Sequence, residues 1–182
     1  VENSKKPNIV FIYMDDLGYG DMSAYGATEI STPNMDALAM GGVQFTNGYA
    51  SSATCTPSRY AILTGRYPWR NKDAKILPGT APLIIDTAQM TVPKMLQGEG
   101  YATGIVGKWH LGLGNGMVNW NERVSPGPNE VGFDYSYILA ATQDRVPTVY
   151  IADGYVDGLD PKDPIEVSYD KNFEGEPTGL DN

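Results

Sequence analysis

An unbroken apolar run, NIVFIYM (8–14), mixes β-branched and aromatic residues without a polar interruption. That pattern predicts a strand buried on both faces, as in parallel sheets. The run stops at Asp15–Asp16, and a glycine-rich loop, LGYGD, follows. STPNMDALAMGG (31–42) predicts a short helix, with Thr32 as N-cap, Pro33 at the first helical position and Gly41–Gly42 as the stop. VQFTNGYA (43–50) predicts a second strand, and PSRYAILTG (57–65) a second helix ended by Gly65. MTVPKMLQGEG (90–100) predicts a third helix, capped by Thr91 with Pro93 in its first turn. YATGIVG (101–107) reads as another strand, with the loop GKWHLGLG (107–114) at its end. Further on, 133–142 and 146–154 read as strands, the second turning a hairpin at Asp153–Gly154. Strand, helix, strand, helix, helix, strand predicts an α/β fold with a mostly parallel sheet. Ligands of such sheets sit at the carboxyl ends of strands. Asp15–Asp16 and Lys108–His110 both fall there.

Composition narrows the class. The chain has 182 residues, 21 of them Gly and 13 Pro, which predicts one loop-rich domain. No apolar run approaches the roughly 18 residues needed to span a membrane. The N-terminus VENSKKPN is no signal peptide, so the protein is either cytoplasmic or has had a signal removed. The net charge is −9. Residues 153–182 hold nine acidic and two basic residues, an acidic, solvated end. Nucleic acid, which needs a basic face, is excluded as a partner. From about residue 156 the chain is polar and interrupted by proline.

The chemistry concentrates in three places. Adjacent carboxylates repel, so Asp15–Asp16 suggest a hard divalent cation, or else a helix N-cap beside an exposed turn acid. Cys55 is the only cysteine and forms no internal disulfide. Alone it reads as a small buried hydrophobe. Just before a helix, with Arg59 one turn on, it reads as an anion-binding reactive sulfur, a thiolate with a histidine as base. His110, the only histidine, is two residues from Lys108 in GKWHLG, where it is either structural or catalytic. Trp109 between them is expected to point into packing.

These motifs carry a resemblance. CTPSRYAILTG resembles the sulfatase signature at every fixed position: Cys55, Pro57, Ser58, Arg59, Thr64 and Gly65. PNIVFIYMDDLGYGD resembles the family's first strand with its paired metal aspartates, and TGIVGKWHLG its second signature. The three cover about residues 7–114, with a looser likeness at GFDYSYILAATQDRVP. The resemblance implies an alkaline-phosphatase-like α/β sandwich, its central sheet mostly parallel and flanked by helices. It implies that a separate enzyme, a formylglycine-generating or anaerobic sulfatase-maturating enzyme, oxidises Cys55 to Cα-formylglycine. One hydroxyl of the aldehyde hydrate then attacks the sulfur of a sulfate ester, and the other expels sulfate. By resemblance Asp15, Asp16 and the modified Cys55 bind Ca²⁺, ahead of Mg²⁺. Arg59 holds the hydrate, Lys108 bridges it to sulfate, and His110 is the general base. Thr142 and Arg145 are candidate substrate contacts, with Tyr150 nearby.

The family's remaining metal ligands, second His and second Lys are expected downstream. Asp181–Asn182 falls short of the family's spacing for the metal pair. Residues 1–182 are therefore expected to be the N-terminal part of one sulfatase catalytic domain, inactive alone. The segment from 140 to 169 resembles an insertion of bacterial glycan sulfatases, so the expected substrate is a sulfated carbohydrate and the expected location periplasmic or secreted, with the signal removed. The alternatives are a phosphonate or phosphate ester hydrolase of the same fold, or a carbohydrate-binding pseudo-sulfatase without turnover.

Overall fold

The computed structural model describes residues 6–168. The chain divides into two compact units, Val1–Tyr49 and Ala50–Asn182. Asp181–Asn182 lie outside the described residues.

In the first unit the predicted helix forms. Helix α1 is Pro33–Gly41, with Thr32 at its N-cap and proline in its first turn. Thr32 does not cap through its side chain. Its hydroxyl instead meets Ser23 Oγ at 2.8 Å and donates to the Asp36 carboxylate at 3.1 Å, while Ser23 Oγ donates to the same carboxylate at 2.6 Å. This network ties the loop before α1 to its first turn.

The two strands predicted in this unit do not form. Residues 8–14 belong to no described strand, and Val10 is 82% exposed. An apolar run becomes a strand only where a neighbour completes the ladder. Residues 43–50 are irregular too. There the Phe45 carbonyl accepts from the Tyr25 hydroxyl at 2.9 Å, and the Gln44 amide donates to the Ala24 carbonyl at 2.7 Å. Side chains take up backbone groups that a strand would use.

In the second unit, helix α2 is Cys55–Thr64, closed by Gly65 at φ 65. The left-handed conformation there suits a residue without Cβ. Cys55 thus opens the helix rather than preceding it. Helix α3 is Val92–Gly98, and Thr91 accepts from the Lys94 amide at 3.4 Å as the sequence predicts. Strands β1 (Gly104–Lys108), β2 (Tyr135–Leu139), β3 (Tyr150–Ala152) and β4 (Tyr155–Val156) form one sheet in the order β1-β2-β3-β4. Only β1 and β2 are parallel, whereas β2–β3 and β3–β4 are antiparallel. The sheet is mixed where a mostly parallel one was expected. Asp153 (φ 47) and Gly154 (φ 88) both take the left-handed conformation that a two-residue hairpin needs, so the chain reverses between β3 and β4. The reversal between β2 and β3 is made by the irregular residues 140–149.

The sheet register sorts its faces. Ile138, Ile151 and Val156 are paired across the sheet and face the core with Tyr60, Trp109, Leu111 and Val131. On the opposite face Val106 is 72% exposed, and Tyr137 stacks on Tyr150 with centroids 5.1 Å apart. The parallel β1–β2 crossover contains no described helix. It is an irregular segment that buries Trp109, Leu111, Leu113, Trp120 and Val124.

That crossover packs backbone to backbone on residues 81–84. Leu113 N donates to Ala81 O at 2.8 Å and Ile84 N to Leu111 O at 3.0 Å. Gly112 permits this approach: it has φ +79, and a Cβ there would lie 1.8 Å from the Pro82 carbonyl oxygen. Gly112→Ala is expected to cost about 3 kcal/mol or more in chemical denaturation. Gly98→Ala, where a Cβ meets nothing within 4 Å, is expected to fold normally.

Candidate functional site

The second unit brings four of the sequence-predicted residues together. Cys55 opens α2, half-buried, where the positive end of the helix dipole favours negative charge. Lys108, the last residue of β1, donates from Nζ to Cys55 Sγ at 3.0 Å. Arg59, one turn along α2, donates from Nη1 to the Lys108 carbonyl at 2.6 Å. Thr56 donates its hydroxyl to the His110 carbonyl at 2.8 Å. The first turn of α2 and residues 108–110 are therefore stitched side chain to backbone at two points. The sequence placed these segments some 50 residues apart and could not show those bonds.

His110 occupies a strained position. It is 1% exposed, and its φ is 56, in the left-handed region that few residues other than glycine adopt. Its amide donates to the Ala140 carbonyl at 3.0 Å. Trp109, at 1% exposure, packs into the core and donates from Nε1 to the Gly112 carbonyl at 2.7 Å, as expected. The His110 ring places Nε2 2.8 Å from the Leu77 carbonyl and 3.2 Å from Arg145 Nη1. A carbonyl only accepts and a guanidinium only donates, so a neutral Nε2 satisfies one of them. The shorter contact assigns the ring N–H to Nε2, donating to Leu77, with the lone pair on Nδ1. Nδ1 is buried and has no hydrogen-bond partner among the described residues.

Burial is the main cause that lowers the His110 pKa below its ordinary value. The Leu77 hydrogen bond opposes this, and the charges of Lys108, Arg145 and Arg59 lower it further. Burial and the three cations keep the imidazole neutral, with its lone pair on Nδ1.

Arg145 was singled out as a substrate contact, and the structure sets it against His110. Thr142 Oγ1 is buried and has no hydrogen-bond partner among the described residues, while the exposed Asp144 carboxyl nearby is held below its usual range, in part by the charges of Arg145 and Lys108. Sequence reading missed Asp144, Thr56 and the Leu77 carbonyl. A backbone carbonyl leaves no trace in residue type, and Thr56 stands at a free position of the signature. Tyr150 lies on the open face of the sheet, stacked on Tyr137.

Asp15 and Asp16 belong to the first unit. Both are exposed, and Asp16 has φ 59, so the chain turns sharply at the pair. Among the described residues no three His, Cys, Asp or Glu side chains gather into a metal site. Two adjacent carboxylates fit a hard cation as part of an oxygen ligand set. A hollow of about 390 Å³ lined by Met117, Asn119, Glu122 and Arg123 lies in the second unit and includes none of the candidate residues.

A family model described as Sulfatase matches residues 7–173. The chain belongs to the sulfatase family. It is 56% identical over all 182 residues to an N-acetylgalactosamine-6-O-sulfatase of Bacteroides thetaiotaomicron, of which it covers 36%. It is 46% identical over 112 residues to human arylsulfatase A, covering 61% of this chain and 22% of that protein. A solved structure described with the metabolism of multiple glycosaminoglycans by Bacteroides thetaiotaomicron matches with a TM-score of 0.91 at 56% identity, covering 98% of this chain and 38% of that one. A second, in complex with its substrate D-glucosamine-2-N,6-O-disulfate, matches with a TM-score of 0.63 at 33% identity, covering 84% of this chain and 27% of that one. The sulfatase chain thus spans between about a fifth and two fifths of the length of these relatives, and its α/β fold is the sulfatase, alkaline-phosphatase-like one. Among its described residues no helix is long and apolar enough to cross a membrane.

Proposed function

We propose that the complete protein containing this sulfatase segment hydrolyses sulfate esters of a sulfated carbohydrate, with a 6-O-sulfated N-acetylhexosamine as the leading substrate. The observation that carries the reading is the contact of Lys108 Nζ with Cys55 Sγ at 3.0 Å, beside a buried His110. The names of the relatives support the sulfated sugar.

In this reading Cys55 is a precursor that a maturating enzyme converts to formylglycine. Asp15, Asp16 and the modified residue would share a Ca²⁺ ion with ligands from beyond this chain. Bound there, the aldehyde hydrate supplies a nucleophile, and the cation supplies Lewis acidity. The chain's own residues do the rest. Lys108 puts a fixed positive charge where a sulfate oxygen would lie, so charge that grows during transfer is stabilised without reorganisation. Arg59 anchors the Lys108 backbone. His110 takes up a proton at Nδ1 as general base. Arg145, whose guanidinium lies 3.2 Å from the imidazole, and Thr142 would contact the sugar. Residues 1–182 act as the N-terminal part of one catalytic domain, and the protein is exported to the periplasm or beyond, which fractionation of the native host would test.

Two measurements test the function. Conversion of Cys55 lowers the mass of its peptide by about 18 Da in protein from the native host. The same protein is expected to release sulfate from N-acetylgalactosamine 6-sulfate faster than phosphate from the matched phosphate ester. A preference for phosphorus would favour a phosphoesterase. An unmodified Cys55 without turnover would favour a binding protein.

A further inference from the structure

We propose that Thr56 is a positioning residue for His110, its hydroxyl holding the His110 peptide in the left-handed conformation that aims the imidazole at the Leu77 carbonyl. The proposal rests on the reading of His110 as the base. Thr56 is 0% exposed. A hydroxyl buried so completely needs a partner. Near a helix start a threonine ordinarily serves its own helix, as an N-cap or by bonding back to a carbonyl one turn earlier. Thr56 instead reaches across the fold to the His110 carbonyl at 2.8 Å.

The other side of His110 is held as well, because its amide donates to the Ala140 carbonyl at 3.0 Å. A non-glycine residue at φ 56 returns to negative φ unless its surroundings prevent it. Ala140 and Thr56 grip it from both sides. Rotation about φ swings Cβ, so release of the carbonyl would turn the ring away from Leu77. It would also alter the ring's distance to Lys108, Arg145 and Arg59, the cations that bear on it. Thr56 adjoins Cys55, so one helical turn carries both the nucleophile's precursor and the clamp on the base.

The test uses Thr56→Val, which keeps shape and burial but removes the hydroxyl, and Thr56→Ser, which keeps the hydroxyl. Both are made in the complete gene product. Turnover is expressed per formylglycine, counted by mass spectrometry, because residue 56 lies inside the signature that the maturating enzyme reads. Thr56→Val is expected to lower kcat about 10- to 100-fold with KM little changed. It should also move the acidic limb of the kcat–pH profile, and Thr56→Ser should restore both. Imidazole NMR of His110, assigned by its loss in His110→Gln, reads the same change without turnover: Thr56→Val should shift the ring's tautomer and its titration. An unchanged kcat and pH profile at matched formylglycine content, with an unchanged His110 spectrum, would overturn the proposal. So would equal losses in Thr56→Val and Thr56→Ser. If the wild type hydrolyses no sulfate ester, the functional reading fails, and the NMR comparison still decides whether Thr56 sets the His110 ring.

Discussion

Cys55→Ala in the complete protein is expected to lower kcat by about 10⁴-fold or more while leaving the fold intact. Removing a nucleophile has this effect where the surrounding groups act as one unit. The fold should survive because Cys55 is only half-buried, at the first position of α2, where alanine is accepted. The unfolding free energy should change by less than about 1 kcal/mol. Cys55→Ser is the sharper comparison. Serine offers one hydroxyl where the aldehyde hydrate offers two, so a sulfated serine would have no second hydroxyl to expel sulfate. It should stall after one turnover, as a burst of product equal to the enzyme present. Sustained turnover by the serine variant would remove the case for the modified residue. Lys108 would still face residue 55, since Arg59 holds its carbonyl.

His110→Gln carries the second large effect, about 10²- to 10⁴-fold in kcat, the range for removal of a general base. The pH dependence gives it a sign. His110 loses its proton at a pH below its ordinary value, first because it is buried and further because of Lys108, Arg145 and Arg59. The base is therefore available through neutral pH, and kcat should fall only as pH drops through that lowered value. Stability follows in the same window. An unfolded His110 binds a proton near pH 6.5, whereas the folded one resists it. Its contribution is fully present above about pH 6.5 and is lost as pH falls through the folded value. Denaturation midpoints of wild type and His110→Gln, measured from pH 7.5 downward, should show a shallower decline in the variant. An equally steep decline in both would mean that His110 charges freely in the folded state.

The helices were legible because their signals are local. Thr91 and Thr32 mark N-cap positions, Pro33 and Pro93 first turns, and Gly65 a stop, and each falls at its position, although only Thr91 of the two caps through its side chain. The hairpin at Asp153–Gly154 was legible for the same reason. Residues 8–14 and 43–50 were not. Their apolar content predicts strands, but a strand is a relation between two segments, and the described residues supply no ladder there. The mixed sheet was missed because strand direction depends on how residues 140–149 bring β3 back along β2, not on any one strand's composition.

The candidate site divides along the same line. Cys55, Arg59, Lys108, His110, Asp15 and Asp16 declared themselves in sequence, because their chemistry is carried by side-chain type and short spacing. What those side chains touch was decided only in three dimensions. Arg59 meets the Lys108 backbone, Thr56 the His110 backbone, Leu77 offers a carbonyl, and Arg145 crosses from residue 145 to the imidazole. Backbone carbonyls are the same in every residue, and contacts across 33 to 54 residues depend on how the segments pack. Sequence alone thus determined the family, the helices and the reactive side chains. Tertiary structure alone decided that His110 is buried, neutral and held in a left-handed conformation, because burial, hydrogen bonding and strain belong to the packed chain.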